Sequence, residues 1–158
     1  MEANGFIVSF KKRLVLGLSL LFCSLLYAQD GKQTEKSVVI DHNSADLNWG
    51  GCPEFMPAGC NIAVLHGDPA KTNSDILFKV PANSDIPLHW HNSAERMILI
   101  SGEMEVTYEG EDTRTLKEGS YAYGPAQKPH TAKCKDKGPC VLFIAFEDPV
   151  DAFAGKGK

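Results

Sequence analysis

His89, His91, Glu95 and His130 are the residues of this chain whose types and spacing can do chemistry. Imidazole and carboxylate together suit a divalent metal ion such as zinc, manganese, iron, nickel or copper. Side chains alternate along a strand, so His89 and His91 share one face and Trp90 is left to pack on the other. Two imidazoles on one face make a clamp, which Glu95 and His130 must complete from neighbouring backbone. The remaining histidines, His42 and His66, have no partner at ligand spacing and read as loop residues. Four ligands on an octahedral ion leave two positions open, enough for water or a bidentate substrate. A tetrahedral zinc would be filled by the four unless Glu95 gave way to water. An open site implies Lewis-acid chemistry on a small-molecule substrate, a closed one a structural or sensory role. For an enzyme, Tyr121 and Tyr123, on one face of one segment, are the candidate catalytic acid or base groups, with Tyr108 on another strand as a third. Arg96, beside a ligand, is placed to meet an anionic substrate or to pair with Glu103 as a surface charge.

The backbone that must position these groups reads as strands. Short apolar runs at residues 38–40, 62–65, 76–80, 97–100, 103–108, 113–116, 121–123, 131–134 and 141–146 are separated by turn residues. Residues 97–100 are apolar on both faces, as in a strand covered on both sides. Gly102 permits a sharp bend into 103–108, where Met104, Val106 and Tyr108 share a face, and residues 109–112 form a hairpin turn. Beyond residue 28 there is no helical period of ten or more residues. Many short strands with regular turns mean an all-β sandwich or barrel. Residues 46–60 read as a long structured loop, expected to pack along the outer sheet rather than across a barrel mouth.

Two motifs resemble those of the cupin superfamily. The first family motif runs Gly, five residues, His-x-His, three or four residues, Glu, six residues, Gly; Asn83, His89, His91, Glu95 and Gly102 stand at those positions. The second runs Gly, five residues, Pro-x-Gly, two residues, His, three residues, Asn; here it reads Gly119, Pro125, Gln127, His130 and Cys134. Asn83, Gln127 and Cys134 depart from the family residue, and none of them is a ligand. The resemblance covers residues 75–147 and implies a cupin-type jelly-roll β-barrel holding one divalent metal ion. It implies a metal-dependent enzyme of dioxygenase, lyase or isomerase type and, because cupins often pair through their sheets, a homodimer. Residues 66–69, residues 87–96 and the second motif are similar to cupins fused to zinc-dependent anti-sigma factors. That likeness implies the alternative of a non-catalytic protein that binds or senses a metal or small ligand.

Lys11, Lys12 and Arg13 precede fifteen residues without a charge, 14–28, ending on a small residue, Ala28. A basic region followed by a short apolar stretch reads as a secretory signal, too short for the roughly 20 residues of a membrane span. Residues 1–28 are therefore expected to be a signal peptide and 29–45 an N-terminal arm. Residues 46–150 are expected to form one domain, and 151–158 a flexible C-terminal tail. The formal charge of −4 becomes −6 without residues 1–28, which carry three basic residues and one acidic. An acidic domain with no basic cluster argues against nucleic acid as a partner, and signal cleavage leaves no membrane segment. Four cysteines remain, Cys52, Cys60, Cys134 and Cys140, an even number that agrees with a periplasmic or secreted protein. Three connectivities are possible; local pairing of 52 with 60 and 134 with 140 is preferred, since Gly138-Pro139 marks a turn between the latter. Export unfolded would require loading outside the cytosol, where affinity order puts copper and zinc ahead of manganese and iron, and zinc is ranked first.

Overall fold

The computed structural model describes residues 35–157, so the expected leader, 1–28, lies outside the described residues. Among the described residues there are eleven strands and no helix: β1 (Trp49–Gly51), β2 (Asn61–His66), β3 (Ser74–Val80), β4 (Asp85–Trp90), β5 (Glu95–Ser101), β6 (Glu103–Tyr108), β7 (Arg114–Lys117), β8 (Tyr121–Gly124), β9 (His130–Cys134), β10 (Cys140–Phe146) and β11 (Phe153–Ala154). They form a six-stranded sheet in the order β1-β2-β3-β10-β5-β8 and a five-stranded sheet in the order β11-β4-β9-β6-β7, a cupin-type jelly roll. Period-two patterning sends one face of each sheet inward. Ile76, Leu99, Leu142 and Ile144 of the larger sheet meet Ile86, Met104 and Val106 of the smaller one in a shared core.

Both faces of the larger sheet are apolar, but they are covered unequally. On its outer face Leu77, Ala63 and Val141 are buried beneath Leu47, Trp49 and Leu65. Ile98, expected to be covered on its outer side, is 42% exposed. Residues 38–40, expected as a strand, belong to neither sheet and are exposed. The loop 46–60 contains β1 and divides: Leu47 and Trp49 pack along the outer sheet as expected, whereas Cys52, Pro53 and Met56 contribute to the wall of the internal cavity. The C-terminal segment is not a tail outside the domain: β11 pairs with β4, matching Phe153 to Trp90 and Ala154 to His89, and the Trp90 and Phe153 rings stack at 4.6 Å.

Three departures from the cupin pattern keep its geometry by other means. Asn83 and Gln127 stand where the family has glycine and adopt the left-handed backbone that glycine favours, with φ of 59° and 60°. Asn tolerates this region better than most residues, through local hydrogen bonding of its short side chain. The Gln127 amide is tied to the His91 carbonyl at 2.7 Å, which holds the second motif against the first. Cys134, replacing the terminal asparagine, is disulfide-bonded to Cys140, and Cys52 is bonded to Cys60, with Cα separations of 5.8 and 5.6 Å. Gly102, at φ 90°, turns β5 into β6 where an added Cβ would lie 3.0 Å from the Cys140 sulfur.

Cys134 and Cys140 are both 0% exposed, so their bond closes β9 onto β10 inside the core. The double variant Cys134→Ala/Cys140→Ala should lose about 2 kcal/mol from loop closure alone, read as a lower urea midpoint.

Candidate metal centre

Strand register brings the histidines together. His89 on β4 lies opposite His130 on β9, and His130 lies opposite Tyr108 on β6, giving one row across the five-stranded sheet. A bulge makes this possible. Between Ile86, paired with Ala132, and His89, paired with His130, β4 carries one more residue than β9. The extra residue turns both Ile86 and His89 inward, where strict alternation would have put them on opposite faces. From the other sheet Glu95 lies opposite Gly124 on β8 and Phe146 on β10. A side chain at Gly124 would collide with the Tyr108 hydroxyl and come within 3.1 Å of the Glu95 carboxylate, so only glycine fits there. His91 and Glu95 flank a short turn pinned by Ser93, whose hydroxyl donates to the Ala94 carbonyl at 2.7 Å. The same oxygen accepts from the amides of Glu147 and Asp148 at 2.9 and 3.1 Å.

All three imidazoles are held the same way. Nδ1 of His89 donates to the Pro87 carbonyl at 2.8 Å, that of His130 to the Lys128 carbonyl at 3.2 Å, and that of His91 to the Asp151 carbonyl. A carbonyl can only accept, so each Nδ1 carries the proton and each Nε2 presents a lone pair. The three rings are buried, and their ligand atoms lie within 4.8 Å of one another. Nε2 of His91 is buried without any hydrogen-bond partner. Burial and the neighbouring His89 hold His130 down to about 3; burial and His91 hold His89 down to about 4. Both are therefore neutral ligands at physiological pH. Glu95 closes one side, with its oxygens 3.5 Å from His91 Nε2 and 3.7 Å from His130 Nε2. Burial raises its pKa, partly opposed by His91. Convergent, proton-free nitrogens with an orphaned acceptor among them fit a divalent cation, held in a cupin-type jelly-roll fold.

The tyrosines sort differently from the expectation. Tyr121 and Tyr123 are 64% and 53% exposed on the outer face of β8, and Ala122 between them faces the cavity. Alternation along β8 had to send one set out, and the small residue went inward beside the metal ligands. Tyr108 is the inward tyrosine. Its ring centroid is 4.7 Å from that of His130, its hydroxyl is buried without a partner, and burial with the Glu95 charge raises its pKa. Arg96 faces outward and pairs with Glu147, while Glu103 pairs with Lys137 at 2.8 Å. Asp151 was missed by sequence reasoning, because it lies sixty residues from the histidine its carbonyl orients.

Residues 76–146 match the family model for the Cupin domain. The fold is similar to the DMSP lyase DddQ from Ruegeria pomeroyi, with a TM-score of 0.60 and 19% identity over 68% of this chain and 60% of that one. It is similar to KdgF from Halomonas sp., with a TM-score of 0.54 and 19% identity over 66% of this chain and 89% of that one. Oxalate decarboxylase from Bacillus subtilis aligns with a TM-score of 0.57 and 18% identity, over 78% of this chain but 34% of its own. At these identities the likeness is one of fold. No curated protein is significantly similar in sequence.

Metal-free protein should show the histidines in its pH dependence. Their depressed folded-state pKa values mean the unfolded chain binds more protons below its ordinary value of 6.5. Stability contributed by the neutral rings is complete above that pH and falls as the pH drops toward 4 and then 3. Glu95, shifted upward, acts in the opposite sense, so Glu95→Gln should steepen the loss. Melting temperatures of chelator-treated protein between neutral and acid pH check both statements. Chelation itself should lower the Tm by about 10 °C if the metal stood at a hundredfold excess over Kd, which adds about 2.7 kcal/mol.

Proposed function

We propose that this protein is an exported metal-dependent enzyme acting on a small organic molecule, of dioxygenase, lyase or isomerase type. In this reading His89, His91, His130 and Glu95 hold one divalent metal ion, with zinc favoured over manganese, iron, nickel and copper. The observation that carries it is a cavity of about 280 Å³ opening directly onto the histidine cluster. A purely structural metal site needs no such space beside its ligands. The two disulfides support an oxidising, periplasmic or secreted location, in keeping with the leader expected in residues 1–28.

When bound, the cation supplies Lewis acidity that polarises a carbonyl or carboxylate oxygen. The chain supplies the rest. The backbone carbonyls of Pro87, Lys128 and Asp151 fix the imidazole tautomers, and Glu95 lowers the net charge of the site. The apolar walls exclude water, and the Tyr108 hydroxyl, kept protonated by burial and the Glu95 charge, is a donor next to the His130 ring. Tyr121 and Tyr123 have no part in this. With Ile98 they form the exposed outer face on which a second copy would pack, consistent with a homodimer that light scattering would reveal.

The test is cobalt substitution of the purified protein followed by addition of small anions. The weak visible absorption of a five- or six-coordinate ion, altered by the anion, is expected. A strong four-coordinate spectrum indifferent to added ligand would remove the enzyme reading. A non-catalytic binding protein of the anti-sigma-related kind would then be left. His91→Ala should lose most of the metal by elemental analysis, whereas Tyr121→Phe and Tyr123→Phe should retain it in full.

A further inference from the structure

The charge and polarity of the cavity are lopsided. Polar atoms gather at one end, in the three histidines, Glu95, Tyr108 and Asp151, while the rest of the wall is side chains such as Ile76, Met97, Val106, Leu142 and Ile144. Neither lysine nor arginine is among the described residues that line it. The Asp151 carboxylate is engaged elsewhere, accepting from the Asn92 amide at 3.0 Å and its side-chain nitrogen at 2.6 Å. Tyr108, only 7% exposed, is among the residues lining this space, and its buried hydroxyl has no hydrogen-bond partner. An unsatisfied buried donor is unfavourable unless a ligand meets it.

The charge balance narrows what can enter. A divalent cation beside the Glu95 carboxylate, with the Asp151 carboxylate nearby, leaves at most one net positive charge at the polar end. A neutral head group or a monoanion is accommodated there. A dianion would leave an uncompensated negative charge against apolar walls, and a polyol would lose its hydration without finding donors. The volume, about 280 Å³, is equivalent to roughly nine waters at about 30 Å³ each and lies just under the usual range for ligand pockets.

We propose that the site takes a small, predominantly apolar organic molecule with one oxygen-donor head carrying at most a single negative charge. The head meets the histidine end and the Tyr108 hydroxyl, and the apolar body fills the cavity. This rests on the metal-binding reading and narrows its substrate class. It sets the site apart from one built for a small dianion such as oxalate.

The test titrates zinc-loaded, full-length protein with straight-chain hydroxamates, from acetohydroxamate upward, and with oxalate, by calorimetry. Hydroxamates offer a monoanionic oxygen head on an alkyl body of chosen length. Affinity should rise about fourfold per added methylene, following about 0.8 kcal/mol for each one buried, until the cavity is full. Oxalate should bind more weakly than hexanohydroxamate. Tyr108→Phe should weaken every hydroxamate about fivefold, the equivalent of about 1 kcal/mol for one hydrogen bond, with zinc stoichiometry unchanged. Ala132→Leu, which fills part of the cavity, should shorten the longest chain accepted. If acetohydroxamate binds but affinity ignores chain length, or oxalate equals the hexyl compound, the substrate class is wrong while the metal site stands. If zinc does not load and no hydroxamate binds, the metal reading itself falls.

Discussion

Three backbone carbonyls govern the centre of this molecule. Pro87, Lys128 and Asp151 each accept an Nδ1 proton, and in doing so they aim three Nε2 lone pairs at one region of the barrel. The acceptors come from three separate places: the bulge in β4, the approach to β9 and the segment before β11. Loss of any one would free a ring to rotate or to take the other tautomer, and the convergence would dissolve. The register between the strands, the bulge and the docking of the C-terminal segment therefore all serve a single geometric requirement.

Meeting that requirement places polar groups in an apolar interior. His89 and His130 are kept neutral by burial, and His91 Nε2 and the Tyr108 hydroxyl are left without partners. Each unmet group of this kind is worth about 1–3 kcal/mol against the fold. The surrounding sheets carry that strain through a closely packed core and two disulfides, one joining β9 to β10 and one fixing the loop that walls the cavity. Binding and folding are consequently linked, since whatever satisfies the orphaned atoms also stabilises the native state.

The cavity divides the same way. Its polar end is built from residues that chemistry needs, and its body from residues that any β-core would use, so selectivity follows from what the walls omit. Among the described residues that line it, no lysine or arginine balances a second negative charge, and the Tyr108 hydroxyl is a buried donor without a partner. Gly124 shows how tightly this end is packed, because even a methyl group there would displace Tyr108 or Glu95.

Much of this was legible in the linear chain. The spacing of His89, His91, Glu95 and His130, the succession of short strands and the local pairing of four cysteines depend on residue type and near neighbours, which sequence expresses directly. The inward set of β6, Met104, Val106 and Tyr108, followed from period-two alternation in the same way. Other features depend on contacts between distant segments. Alternation predicts that Tyr121 and Tyr123 share a face, but whether that face looks inward is set by the pairing of β8 with β5. Asp151 orients His91 only because β11 adds to the edge of the smaller sheet, and loop 46–60 walls the cavity only because the barrel leaves that side open. Local propensity determined which side chains the chain possesses and how they repeat; long-range pairing decided which of them share an interior, because register and closure are properties of two strands at once and of neither alone.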